Sequence, residues 1–295
     1  MDAGPPALNI LGHLLINTLY RASARTTDTM TTTRICFVRH GETDWNIALR
    51  MQGHRDLPLN AHGLAQAAAL GPRFAGQKVA ALYSSDLLRA RQTAQPIAAA
   101  LGRPVVPRAA LRERHFGRCE GLTLAEISER YADDAQAITS HDPDYASPGG
   151  EGSDSPTGER TNPPTGESTN PPSGERTNPP SGERTNSPSG ERTNPPSGES
   201  RRQHEKRVLD EVARLLAAHP GQTIVVVTHG GVLDVIYRRA RGLLLSAPRD
   251  YPIPNGGINW LLIAGEQWLI ECWGDTAHLD PATAPCCAES RSTDD

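Results

Sequence analysis

The sequence predicts an α/β domain, because short apolar runs that stop abruptly in polar, glycine-bearing loops alternate with longer amphipathic stretches. Two of those runs end alike: residues 35–38 lead into Arg39-His40-Gly41, and residues 223–228 lead into His229-Gly230-Gly231. A third run, residues 79–85, stops just before a helical pattern that carries Arg89 in its first turn. In open α/β sheets ligands bind outside the carboxyl ends of the strands, so these three ends are expected to meet at one crevice.

Residues 35–38 combine β-branched and aromatic side chains, as a buried strand requires, and Gly41 permits a tight turn after them. An arginine beside a histidine at a strand end suits a phosphoryl group. The guanidinium fork holds the oxygens, and a neutral imidazole can attack phosphorus. Residues 52–59 form a polar loop, after which Asn60 is placed to cap an alanine-rich helix over residues 62–74. The strand over residues 79–85 ends at Ser84-Ser85-Asp86. Asp86 is expected to cap the next helix, with Arg89 at its anion-favouring end. Residues 104–107 read as an edge strand, since proline cannot donate to a ladder. The segment Leu111-Arg112-Glu113-Arg114-His115-Phe116-Gly117 precedes a helix over residues 124–131.

From residue 148 the composition changes. Gly-Glu recurs at Gly150, Gly158, Gly166, Gly174, Gly182, Gly190 and Gly198, a period of eight with the consensus Pro-x-Gly-Glu-Arg-Thr-Asn-Pro. These octads offer nothing apolar to bury, so a disordered, extended insertion is expected rather than a solenoid. Order returns with a helix over residues 201–218 that aligns Val208, Leu209, Val212, Leu215 and Leu216 on one face. Residues 223–228 are the most apolar strand and are therefore expected at the centre of the sheet. A helix over residues 232–241, a loop over 251–257 and a hairpin of residues 258–263 with 267–273 complete the pattern. From Asp275 the polar tail is expected to fray.

The totals narrow the function. A formal net charge of −4 over 295 residues argues against a general nucleic-acid binder. No apolar run approaches the roughly 20 residues a membrane-spanning helix needs. Five cysteines without disulfide or zinc spacing suit a reducing, cytoplasmic compartment. The apolar fraction of 37% is low, but the deficit lies in the octads and leaves enough chain for one domain with its own core. The first 33 residues fit poorly with the rest. Ala22-Ser23-Ala24 looks like a signal-peptidase site, yet Asp2 is the only charge ahead of the apolar run, and Asn9, His13 and Asn17 interrupt it. An over-extended reading frame, with Met30 as the true start, is the preferred reading.

The blocks that carry chemistry are Val38-Arg39-His40-Gly41-Glu42-Thr43 with Trp45-Asn46, then Ser84-Ser85-Asp86-Leu87 with Arg89-Ala90. Leu111-Arg112-Glu113 with Gly117 and Glu120-Gly121 follows, then Gly198-Glu199-Ser200 with Arg207, Val227-Thr228-His229-Gly230-Gly231 and Pro254-Asn255-Gly256. In this order they resemble the histidine phosphatase superfamily, in its phosphoglycerate-mutase-like branch, over residues 34–278 apart from the octads. The resemblance implies a three-layer αβα sandwich with a mostly parallel central sheet. It is one domain in two parts, residues 34–147 and 200–278, interrupted by the insertion at 148–199. A weakly structured extension over residues 1–33 and a disordered tail over 279–295 would flank it.

The same resemblance implies metal-independent hydrolysis of a small phosphomonoester through a phosphohistidine. His40 would be the nucleophile and Glu113 the general acid, then base. Arg39, Arg89 and His229 would surround the phosphoryl oxygens, with Asn46, Gln52 and Gly53 completing the phosphate site. No cofactor and no metal is expected. The expected partner is a small-molecule phosphate ester, neither nucleic acid nor membrane, with a homodimer left open. The runner-up is a bisphosphoglycerate-dependent mutase, which Glu113-Arg114-His115-Phe116-Gly117 favours. Against it, no Arg-Arg stretch after Glu120 offers a grip on a second charged end. A third reading, a binding module built on the octads, is disfavoured because all five core residues are present. Competing chemistries lack their parts: there is no Cys-x5-Arg, no Walker-type Gly-Lys-Ser/Thr, and Asp142-Pro143-Asp144 follows no apolar strand.

The octads read as tandem copies of the single Gly-Glu-Ser that precedes the helix bearing Arg207, with the last copy docked at the site rim and the others looped out. Insertion of about fifty residues into a surface loop costs only about 2 kcal/mol of closure entropy against a stability of roughly 5–15 kcal/mol. Deleting Glu151 to Gly198 leaves one Gly-Glu unit and is expected to preserve activity and melting temperature. A large loss of either would contradict the expansion.

Overall fold

The computed structural model describes residues 31–149 and 198–280. The readings made for the first thirty residues, for the octads before Gly198 and for the tail beyond residue 280 lie outside the described residues. Six strands form one sheet: β1 (Thr33–Arg39), β2 (Ala81–Ser84), β3 (Val105–Pro107), β4 (Thr223–Thr228), β5 (Ile258–Ala264) and β6 (Gln267–Asp275). Their order is β3-β2-β4-β1-β5-β6. The first four run parallel, β5 is antiparallel to β1, and β6 closes the terminal hairpin on β5. The apolar β4 is interior and the proline-flanked β3 is an edge, as their compositions require.

The pleat of the strands divides the core in two. Ile35 and Phe37 of β1 and Ile224 and Val226 of β4 face α6 (Arg201–Ala218) and α7 (Gly230–Arg241), meeting Val208, Val212, Leu215 and Ile236. The alternate residues Cys36, Val38, Val225 and Val227 face α2 (Ala61–Phe74) and α3 (Leu88–Leu101), meeting Leu70, Phe74, Ala90 and Ile97. Helices on both faces of the sheet make three layers. Each fully buried Leu, Ile, Val or Phe contributes about 1.5–3 kcal/mol, so these two seams carry the fold. A third, small cluster joins Ile127 of α4 (Leu124–Arg130) and Ala135 of α5 (Ala132–Thr139) to Cys119, Met51 and Tyr131, forming a cap beside the sheet.

Four local expectations are corrected. Asp86 does not cap α3: its carboxylate is forked by Arg112 at 2.7 and 2.6 Å, and the Asp56 carboxylate takes the Leu88 N–H at 2.5 Å instead. Asp275 is not frayed but 4% exposed, ending β6 and paired with Arg73 at 3.0 Å. Thr33 belongs to the domain, being buried in β1 and bonded through Oγ1 to the His219 carbonyl at 2.9 Å. The helix α5 has no counterpart in the reading, because two aspartates and a threonine obscure its short apolar stripe. The buried Asp134 in it takes two bonds from Arg118, at 2.9 and 2.6 Å, both on Oδ2.

The final Gly-Glu-Ser is part of the fold. The Gly198 N–H donates to the Ser147 carbonyl at 2.6 Å and the Glu199 N–H to the His115 carbonyl at 2.7 Å, so the two ends of the interrupted loop lie side by side. Ser200 caps α6 in a capping box with Gln203. Among the described residues no helix is long and apolar enough to cross a membrane.

Candidate active site

Strand register brings the two histidines together. The last aligned pair of β1 and β4 is Arg39 with Thr228, and the His40 N–H donates to the Thr228 carbonyl at 2.9 Å. His40 and His229 therefore leave adjacent parallel strands at the same level, with ring centroids 5.1 Å apart. Asn255 clamps this turn from the far side, its Nδ2 donating to the His40 carbonyl at 3.0 Å.

Each functional side chain has a defined anchor. His40 is 3% exposed, and its Nδ1–H donates to the Gly41 carbonyl at 2.7 Å, which leaves the Nε2 lone pair free. Burial, then the charges of Arg89 and Arg39, hold its pKa well below the ordinary 6.5, so the ring is neutral and nucleophilic. His229 is fully buried, and neither ring nitrogen has a partner among the described residues. Arg39 donates through Nη1 to the Ile253 carbonyl. Arg89 donates to the carbonyls of Arg55 and Gly53 at 2.7 and 2.8 Å. Both leave a buried Nε without a partner. Burial pulls both guanidinium groups down to about 10, with Glu113 opposing, so both remain charged at neutral pH.

Glu113 lies across the mouth. Its Oε2 accepts from the Gly231 N–H at 2.8 Å, at the amino end of α7, and its Oε1 from the Arg114 N–H at 2.8 Å. A Cβ at position 231 would collide with this carboxylate, so any side chain there would push Glu113 from its place. Arg207 fixes the segment from behind. It forks Glu199 at 2.8 and 2.6 Å while donating to the carbonyls of Ala110, Arg112 and Glu113 at 2.8, 3.0 and 3.2 Å. This gives the retained Gly-Glu-Ser a purpose: its glutamate orients the arginine that holds Glu113. Arg207→Ala is expected to lower kcat about 10–100-fold with KM within about threefold, since small misplacements of a catalytic group cost this much. A raised KM with kcat retained would contradict it.

The remaining expected residues line the same region. Asn46 is the third residue of α1 (Asp44–Ile47), and its Oδ1 accepts from the Thr43 N–H and hydroxyl, both at 3.0 Å. Its Nδ2 is left as the donor. Gly53 acts through its carbonyl on Arg89. It sits at φ +50°, where a Cβ would strike Glu120. Gln52 is buried with an unpartnered Oε1. His115 turns toward Glu120 at 3.7 Å and its ring meets that of His54 edge-on.

A cavity of about 550 Å³ opens from Arg39 and Glu113 toward Arg114, Arg201, His204 and Arg249. The sequence reading missed His204. It is 3% exposed with an unpartnered Nε2, held well below the ordinary 6.5 by burial and then by Arg207 and Arg114. The signal was there: the apolar stripe of α6 at Val208, Val212 and Leu215 continues back to position 204.

His40, His204 and His229 must stay neutral in the folded state, whereas the unfolded chain takes up a proton at each below about pH 6.5. Stability is therefore expected to be lost as pH falls from 6.5, at up to roughly 1.4 kcal/mol per pH unit for each ring. Thermal melts between pH 7.5 and 5.5 check this, and a flat profile would contradict the buried neutral trio.

Two imidazoles, two guanidinium groups and a carboxylate at the carboxyl ends of parallel strands define a site for phosphoryl transfer. The family model of the histidine phosphatase superfamily (branch 1) matches residues 35–163 and 166–276. Phosphoglycerate mutase-like protein 4 of Arabidopsis thaliana is 34% identical over 249 residues, covering 83% of this chain and 86% of its own. The metal-independent phosphoserine phosphatase of the same plant is 32% identical over 249 residues, covering 84% and 83%. Bacillus stearothermophilus YhfR has the same fold, with a TM-score of 0.63 at 24% identity over 84% of this chain and 100% of that one. The chain belongs to the histidine phosphatase superfamily, branch 1. It is an enzyme that acts on phosphate esters.

Proposed function

We propose that the protein hydrolyses a small phosphomonoester by way of a phosphohistidine on His40. The observation that carries this reading is the neutral His40 ring, its Nε2 free, set 5.1 Å from His229 between two buried arginines with spare donors. In the first step Nε2 bonds to phosphorus as the ester P–O bond breaks, and Glu113 gives its proton to the departing alkoxide. In the second, Glu113 takes a proton from water, whose oxygen bonds to phosphorus as the P–N bond breaks. Arg39 and Arg89 spread positive charge over the oxygens where the transition state is most anionic, and His229 and Asn46 add neutral hydrogen-bond donors. Arg89 in turn is held by the carbonyl of Gly53, with Gln52 beside it.

The arginines supply the charge that a metal would otherwise bring, and a relative is named a metal-independent phosphoserine phosphatase. A mutase is the second reading, supported by the relative named phosphoglycerate mutase-like and by Arg114 beside Glu113. The buried Cys36, Cys119 and Cys272 suit a reducing, cytoplasmic setting. A panel of phosphate esters assayed in EDTA, with and without 2,3-bisphosphoglycerate, tests the assignment. Phosphate release that is indifferent to both additions supports the hydrolase. Isomerisation that depends on the bisphosphate would replace it with the mutase, and loss of activity in EDTA would end the metal-independent mechanism.

A further inference from the structure

Glu113 is held through its own peptide group as well as through its carboxylate. Its Oε1 accepts the Arg114 N–H at 2.8 Å, and that N–H belongs to the same planar peptide as the Glu113 carbonyl. Whatever fixes the carbonyl therefore fixes the direction in which the N–H points, and with it the seat of the carboxylate. Arg207 is one donor to this carbonyl, at 3.2 Å. His54 is a second and nearer one, with Nε2 3.0 Å from the same oxygen. A carbonyl only accepts, so the proton sits on Nε2. Burial, then the neighbouring His115, hold the ring below the ordinary 6.5, which keeps it neutral at neutral pH.

The backbone and the ring of His54 are both anchored. Its N–H donates to Glu120 Oε1 at 2.9 Å, the atom that also takes the Phe116 N–H at 3.1 Å. One buried carboxylate thus stitches the loop over residues 52–56 to the segment that follows Glu113. The half-buried ring meets that of His115 edge-on, with centroids 4.8 Å apart. The residues on either side of His54 serve the phosphate clamp, since Arg89 donates to the carbonyls of Gly53 and Arg55 at 2.8 and 2.7 Å. Three consecutive residues therefore hold a phosphate-binding guanidinium by main-chain atoms and the acid by a side chain. His54 does not line the cavity that opens beside Glu113, so it acts through that residue rather than on the ligand.

We propose that His54 is a positioning residue: its Nε2–H aligns the Glu113 peptide, and thereby the carboxylate, with the phosphoryl group that Arg89 holds. This rests on the phosphohistidine reading and adds to it a role for a side chain outside the pocket. The carbonyls that hold Arg89 belong to the main chain. Changing the His54 side chain therefore leaves the phosphate grip in place and loosens only the acid–base end.

The test follows the two half-reactions of the full-length chain on p-nitrophenyl phosphate by rapid mixing. Release of p-nitrophenol reports phosphorylation of His40, which this leaving group makes indifferent to the acid. Decay of phosphohistidine in a single turnover reports the hydrolysis for which Glu113 is the base. His54→Phe keeps a ring against His115 but has no N–H. It is expected to slow the decay about tenfold, because a slightly displaced base loses rate on this scale, with the p-nitrophenol step within about threefold. His54→Gln, whose amide N–H can take the place of Nε2–H, is expected to bring the decay back to within about threefold of the unmodified chain. Melting temperatures of both variants are expected within about 4 °C of the unmodified chain, the scale of one exchanged hydrogen bond. If His54→Phe does not fold, His54→Ala carries the same expectation. An unchanged decay in His54→Phe, equal slowing of both steps, or no recovery in His54→Gln would overturn the proposal. The phosphohistidine reading fails at a different point: if the unmodified chain forms no phosphohistidine, both fall. If it does form one, the variants decide the His54 assignment alone.

Discussion

His40→Ala is expected to lower kcat for p-nitrophenyl phosphate by about four orders of magnitude or more, the scale seen when a covalent nucleophile is removed. That corresponds to about 5.5 kcal/mol of barrier. The size follows from the geometry: Nε2 of His40 is the group the anchoring leaves free to attack, and among the described residues no cysteine is aligned to replace it, Cys36 pointing into the core on the same strand. His229 is close by and feels the charges of both Arg89 and Arg39, and the proposed mechanism assigns it to the phosphoryl oxygens. Retention of more than a trace of turnover would remove His40 from the nucleophile's role.

Glu113→Gln is expected to show its effect through the leaving group. The ratio kcat/KM reports only the steps up to phosphohistidine formation. It should fall about 10²–10⁴-fold for alkyl phosphates, whose alkoxides need a proton, and far less for p-nitrophenyl phosphate, whose phenolate leaves unaided. The later hydrolysis of phosphohistidine needs the same carboxylate as a base for either substrate. The variant should therefore give a burst of p-nitrophenol followed by a slow steady state. Equal losses in kcat/KM for both ester types would mean that Glu113 is not the acid. The glutamine keeps the shape of the side chain and can still accept from the Gly231 N–H, but its NH2 then faces the Arg114 N–H. Both ester types share this cost, so it is the difference between them that isolates the chemistry.

Much of this was legible in the chain because it rests on patterns with short range. The strand ending at Arg39 and the strand ending at Thr228 each announce themselves by composition, and parallel pairing in register then obliges His40 and His229 to meet. Asn60 capping α2 follows from a side chain that bonds its own neighbour. What failed was long-range competition for the same groups. Asp86 had the chemistry of a cap, but Arg112, brought alongside by the chain beyond β3, forms a two-point ion pair with it that a single N–H cannot match. Asp275 reads as the start of a polar tail until Arg73 on another helix takes its carboxylate. The arginines of the outer cavity were likewise invisible. Arg114, Arg201 and Arg249 are far apart along the chain, and each by itself looks like an ordinary surface charge.

The covalent intermediate is the most direct check on the whole scheme. Rapid mixing of the full-length enzyme with a phosphate ester, an alkaline quench that spares phosphohistidine, and peptide mass mapping would locate the phosphoryl group. The label should appear on the peptide containing His40, form within the first turnover and vanish in His40→Ala. Turnover that proceeds with no phosphorylated histidine, or with the phosphoryl group on another residue, would contradict it.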